Sequence, residues 1–132
     1  PLLDRIDIHI EIVPVPFEKL SELKESESSE KVRERVIKAR QIQELRFRDI
    51  DGVYCNAQMS SKQMRSFAQI DKAGSDLLKN AMQRLNLSAR AYDRIIKVAR
   101  TIADLDDAEN ILSNHIAEAI NYRNLDREGW AG

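Results

Sequence analysis

Apolar and polar residues alternate near the N-terminus in a way that predicts one β-strand. The apolar positions are Ile6, Ile8, Ile10 and Ile12, and the polar positions between them are Asp7, His9 and Glu11. A repeat of two is the period of a half-buried strand, and Pro14 and Pro16 end it. Because no second run of this kind follows, we expect the strand in residues 1–16 to pair with a sheet that lies upstream.

Beyond residue 16 the pattern predicts a linker and then helices. Residues 17–30 are rich in Ser, Glu and Lys, which is typical of a solvated linker. Apolar residues then recur at steps of three and four, the period of amphipathic helices, over residues 30–48, 70–85, 88–103 and 107–122, with a shorter stretch over 60–68. The expected fold is mainly α, a bundle of about four helices over residues 31–123, followed by a flexible tail at 124–132 around Trp130.

The apolar residues of each helix predict the side that faces the core. The first long helix offers Val32, Val36, Ala39 and Leu45. The helix that begins after the predicted N-cap Ser88 carries Tyr92, Ile95, Ile96, Ala99, Ile102 and Ala103 on one face, and the last helix offers Ala108, Ile111, Leu112, Ala119 and Ile120. Arg90, Arg94 and Lys97 fall on the face opposite the apolar one, where they are either a solvated surface or a phosphate site.

The charge balance and the single cysteine limit the classes of function. With 21 Lys and Arg against 22 Asp and Glu, the net charge is -1, so the chain lacks the positive field of a typical free-standing nucleic-acid binder. Cys55 alone cannot form an internal disulfide, and no apolar run is long enough for a membrane span. We therefore expect a cytoplasmic protein with no membrane contact.

Two groups of residues could be mistaken for catalytic or metal sites. Asp7, His9 and Glu11 share one strand face, but we interpret them as a polar surface and predict no metal site. His115 borders an apolar face without a paired nucleophile, so it is interpreted as a boundary histidine.

None of the four glycines stands in a GxxxxGK[ST] loop, and the chain alone therefore cannot hydrolyse ATP.

Three strings in a fixed order resemble one protein family. PLLDRIDIHIEI, LSARAYDRIIKVARTIADL and HIAEAINYRNLD together are similar to the C-terminal part of Mg-chelatase-like AAA+ ATPases of the ComM/YifB type. The resemblance implies that an upstream AAA+ core supplies the sheet, the ATP-binding loop and the acidic metal-binding strand. It also implies that the helical region is the lid of that core, with ATP and Mg²⁺ as the cofactors of the intact protein.

The same resemblance implies roles for particular arginines. Arg90, in LSAR, is similar to the sensor-2 arginine of such lids and would act as a catalytic and nucleotide-binding residue. Arg94 also matches a family position and is assigned either to the nucleotide or to a structural ion pair, and Arg100 shares this ambiguity. Arg5, in LLDRID, is similar to the arginine finger in the LLSRFD string of minichromosome-maintenance helicases, although Asp4 replaces the serine.

Three functions remain open from the sequence. The first is a lid in a ring of identical subunits, expected to be a hexamer, which contributes arginines to an ATP site and acts on DNA in branch migration. The second is the corresponding part of the magnesium chelatase motor subunit. The third is a non-catalytic helical module for DNA or protein binding, in which residues 88–100 would be a DNA-reading helix.

Overall fold

The chain folds into helices connected by short turns, as a computed structural model shows for residues 2–22 and 24–123. The helices are α1 (Phe17–Leu20), α2 (Ser29–Phe47), α3 (Ser61–Phe67), α4 (Lys72–Arg84), α5 (Ala89–Leu105) and α6 (Ser113–Asn121). Two 3-10 helices, η1 (Leu3–Arg5) and η2 (Asn56–Gln58), precede α1 and α3. The predicted helical bundle is confirmed. The domain boundaries stay predictions, and the tail around Trp130 lies outside the described residues.

The segment from Ile6 to Pro16 is not a strand within the described part of the chain. Its backbone has no regular structure, and the His9 N–H donates to the carbonyl of Tyr122 at 2.6 Å. A strand exists only through a ladder of hydrogen bonds with a neighbour, which the described residues do not provide. The alternating isoleucines are exposed instead, with Ile12 at 88%.

Side-chain caps explain where several of the helices begin. The hydroxyls of Ser28 and Ser60 and the carboxylate of Asp71 accept hydrogen bonds from the first turns of α2, α3 and α4. Ser88 accepts from the N–H of Ala91 at 3.1 Å, so the predicted N-cap of α5 is confirmed. Each cap satisfies an N–H that has no partner inside its own helix.

Helix α5 lies at the centre of the bundle and contacts α2, α3, α6, η1 and η2. Its buried apolar residues are Ala91, Ile95, Ile96, Ala99 and Ala103. All of these except Ala91 pack in one core with side chains from the other elements, among them Phe47, Met59, Leu78, Ile111 and Ile116. Because α5 is held from several sides, the residues on its remaining face have a defined position relative to the bundle.

Five predicted core positions are exposed, and the last helix starts later than expected. Leu45 is 66% exposed because α2 turns Ala39, Gln43 and Phe47 inward. The other four exposed positions are Val32, Val36, Tyr92 and Leu112. Residues 107–112 form a turn rather than helix, with Asp107 at a φ of 54° and Ile111 in a bridge with Ile70.

Within residues 2–22 and 24–123, no helix combines the length and the apolar composition that are needed to cross a bilayer.

Candidate functional site: a groove along α5

A groove with a cavity volume of about 930 Å³ runs between the N-terminal segment, α5 and α6. Ile8, Ile10, Val98 and Ile102 contribute its apolar surface. Its cationic residues are Arg90, Arg94 and Lys97, all from α5. Asp7, Asp93, Asp106 and Glu118 lie on its wall as well, so its four acidic residues outnumber its three cationic ones.

The spacing of the three cations places them on one side of α5. Positions 90, 94 and 97 are separated by four and three residues and therefore lie on one helical face, as predicted. The face turned towards the core holds Ile95, Ile96 and Ala99. Arg90 is in the first turn, where unpaired N–H groups and the helix dipole favour a negatively charged ligand.

The three cations differ in how far their charges are already paired. Arg94 forms an ion pair with Asp7 of the N-terminal segment. Lys97 donates from Nζ to the carbonyl of Ala57 at 3.1 Å. Arg90 is exposed, and its guanidinium has no hydrogen bond or ion pair with any described residue. Arg90 is therefore the groove cation best able to accept an external anion.

Arg5 lies outside this groove. It ends η1, its side chain is exposed, and it forms no side-chain hydrogen bond or ion pair with residues 2–22 or 24–123. The structure thus brings Arg90 and Arg94 together in one groove, and Arg5 is not among the residues that line it.

Comparison with known proteins identifies the chain. The sequence model of a family described as magnesium chelatase, subunit ChlI C-terminal, matches residues 26–123. The chain belongs to this family. Competence protein ComM of Haemophilus influenzae is 40% identical over 96% of the chain, uncharacterized protein YifB of Escherichia coli is 38% identical over 96%, and an uncharacterized protein of Mycobacterium tuberculosis is 32% identical over 93%. In each case the chain spans 24% of the relative's length.

The resemblance expected from the three strings is thereby confirmed. The chain is a C-terminal domain of the kind found in Mg-chelatase-like AAA+ proteins. The matched residues include all of α2 to α6. The groove is built by α5 and α6 of this family domain together with the N-terminal segment, which precedes the matched range.

A buried polar network lies behind the groove, and the sequence analysis missed it. The carboxylate of Asp104, whose side chain is fully buried, accepts from Arg46 at 2.5 and 2.8 Å, from Asn56 at 2.8 Å and from Arg100 at 3.1 Å. Asn56 also donates to Thr101 at 3.0 Å, and Thr101 lines the groove. The network joins α2, η2 and α5, so it fixes the helix that carries Arg90.

Arg100 has a structural role in this family domain. It donates to the carbonyls of Glu109 and Ala108 at 3.0 and 2.8 Å, which holds the turn between α5 and α6. Burial lowers the pKa of Arg100, and the neighbouring charge of Asp104 opposes that shift. Its guanidinium is hydrogen-bonded inside the domain and is not available to a nucleotide.

The two histidines are structural as well. His115 is 1% exposed, its Nε2 lies 2.9 Å from Asp106, and its Nδ1 accepts from the N–H of Leu112 at 3.0 Å. Both ring nitrogens of His115 therefore have hydrogen-bond partners, as expected for a structural histidine. His9 is 4% exposed, with Nε2 3.1 Å from the carbonyl of Leu3, so it does not belong to the expected polar strand face.

Proposed function

We propose that this chain is the lid of an ATP-hydrolysing AAA+ protein and supplies Arg90 to the phosphates of the bound nucleotide. The observation that carries the proposal is an exposed arginine that has no side-chain partner among residues 2–22 and 24–123. It lies in the first turn of the capped helix α5 and on a groove. The family of the chain supports it, since the resemblance implies a sensor-2 arginine at this position. The nucleotide and Mg²⁺ would be held mainly by the remainder of the intact protein.

The chemistry of Arg90 would be electrostatic. A guanidinium presents a planar fork of N–H donors that suits phosphate oxygens, and it remains charged at every physiological pH. Placed beside the γ-phosphate, it would stabilise the negative charge that develops on the transferred group. Arg94 would contribute less, because Asp7 already neutralises it in this structure.

Arg5 is proposed to act on the nucleotide of a neighbouring subunit. Its exposure on η1, away from the groove that holds Arg90, supports a role at a subunit boundary rather than at the same site. The assembly would be a homo-hexameric ring, and both arginines would belong to each ATP site only after assembly.

The substrate of the motor is proposed to be DNA, on the resemblance to ComM-type proteins and on the name of the relative called a competence protein. The second candidate, insertion of magnesium by a chelatase motor, is favoured by the description of the matching family. Stimulation of ATP turnover by branched or duplex DNA, without magnesium insertion into a porphyrin, would favour the first candidate. The opposite result would favour the second.

The test of the central proposal is Arg90→Ala in the intact protein. We expect ATP turnover to fall by about 10³-fold, because arginines that act on a transferred phosphoryl group contribute on that order. Arg40→Ala is a matched control, since Arg40 is also exposed on a long helix but does not line the groove. Unchanged turnover in a folded Arg90→Ala protein would contradict the proposal.

A further inference from the structure

Arg123, which follows α6, is the largest fully buried side chain among the described residues, with 1% exposed. Its Nη1 donates to the carbonyl of Ile6 at 2.8 Å and its Nη2 donates to the carbonyl of Leu3 at 3.1 Å. These bonds join residues that are 117 and 120 positions apart. One guanidinium therefore ties the first residues of the chain to the end of the last helix.

The residue before Arg123 completes this attachment. The carbonyl of Tyr122 accepts from the N–H of His9 at 2.6 Å, and the ring of His9 lies 3.1 Å from the carbonyl of Leu3. Residues 3–9 are thus held at both ends. Between the two points of attachment lie Arg5, at the end of η1, and Asp7, which pairs with Arg94.

Apolar packing alone does not explain the position of η1. The helix has three residues and none of them is buried, while Ile6 beside it is 41% exposed. Such short 3-10 helices are not stable without a tie to the rest of the protein. Hydrogen bonds from a charged donor are among the stronger ties available.

We propose that Arg123 is a positioning residue for η1. It fixes the turn that presents Arg5 to solvent, and it sets the segment so that Asp7 meets Arg94. The catalytic consequence rests on the proposed function of Arg5 at a neighbour's nucleotide. In that setting Arg123 touches no substrate and acts on turnover only through the position of Arg5.

The first measurement is hydrogen exchange of the Ile6 and His9 amides in the 132-residue chain. Both amides have backbone partners, at Leu3 and Tyr122. With Arg123→Met we expect their exchange to accelerate by about tenfold or more, because the local opening becomes easier. Arg123→Lys keeps the charge and should give a smaller acceleration, and it replaces Arg123→Met if that variant does not fold.

Arg100→Met and Arg100→Lys are the matched controls. Arg100 is also buried and also bridges two carbonyls with its Nη atoms, but those carbonyls belong to the turn between α5 and α6. In these variants the amide exchange rates of residues 3–9, relative to the rates in the rest of the bundle, should not change. Exchange at Ile6 and His9 that is the same with and without the Arg123 side chain would overturn the proposal.

The second measurement is ATP turnover of the intact protein. Arg123→Met should lower kcat by about 10²-fold with KM for ATP unchanged, since a small misplacement of a catalytic group can cost that much. Adding Arg123→Met to Arg5→Ala should cause no further loss, and an additive loss would overturn the route through Arg5. If Arg5→Ala alone keeps full turnover, the proposed role of Arg5 fails, and the exchange measurement still decides whether Arg123 positions η1.

Discussion

The interior of the bundle and the groove along α5 both contain arginines, but the arginines of the two regions differ in how far they are paired with other side chains. Inside, Arg46 and Arg100 converge on Asp104, and Arg100 also donates to the carbonyl of Ala108. In the groove, Arg90 is exposed and has no side-chain partner within the described ranges, while Arg94 is held by a carboxylate that is itself 53% exposed.

The difference follows from desolvation. A charge removed from water must be paired and hydrogen-bonded, so an arginine that enters the interior is fully engaged by its neighbours. An arginine at the surface keeps its hydration and can exchange it for a ligand's oxygens. Burial therefore separates the arginines that build the domain from those that remain accessible to an external anion, although both kinds lie on the same helix.

The largest expected effect compares one arginine from each region. Arg46→Met should destabilise the chain by about 3 kcal/mol, because it removes a partner from a buried ion pair. Arg90→Met should change the free energy of unfolding by less than about 0.5 kcal/mol, as is usual for surface substitutions. Urea unfolding of the two variants measures both values. Equal destabilisation would show that Arg90 is a structural arginine and would break the comparison.

The helical part of the fold could be predicted because its signals are local. The cap Ser88 and the stripe Ile95, Ile96 and Ala99 lie within a few turns of one another, and the structure has them as expected. The isoleucine alternation before Pro14 carries an equally clear period. It gives no strand in the described residues, because a strand also needs a hydrogen-bonded neighbour. The periodicity of one segment does not reveal whether such a neighbour exists.

The candidate site could be predicted only in part. Spacing alone places Arg90, Arg94 and Lys97 on one face, but it cannot show that Asp7 neutralises Arg94. The pairs Arg46–Asp104 and Asp7–Arg94 join positions 58 and 87 residues apart, so neither has a local pattern. Gln43 also lies inward on α2, where it accepts from the N–H of Asn56 at 2.9 Å, while the apolar Leu45 lies outward.

A smaller effect is expected from the pair Asp7–Arg94 at the edge of the groove. Its two side chains are 53% and 31% exposed, so a double-mutant cycle with alanine should give a coupling of about 0.2–1 kcal/mol. The coupling should decrease in 1 M salt, where charges are screened within about 3 Å. A cycle of Asp7 with Arg90 is the control and should give no coupling. A large, salt-independent value for Asp7–Arg94 would mean that the groove holds its arginines as firmly as the interior does.

The smallest effect is confined to alkaline pH and concerns Tyr122 on the groove wall. Its hydroxyl donates to the carboxylate of Glu118 at 2.8 Å, which raises the pKa of Tyr122 above its ordinary value of 10.0. The stabilisation is therefore complete below the unfolded pKa and is lost as pH rises through the higher folded value. Spectroscopic titration of the tyrosines should show Tyr122 shifting downward in Glu118→Ala but not in Glu109→Ala. An identical titration in both variants would show that Glu118 does not raise the pKa of Tyr122. The exposed pair Tyr122–Glu118 could then no longer be compared with the buried pairs around Asp104.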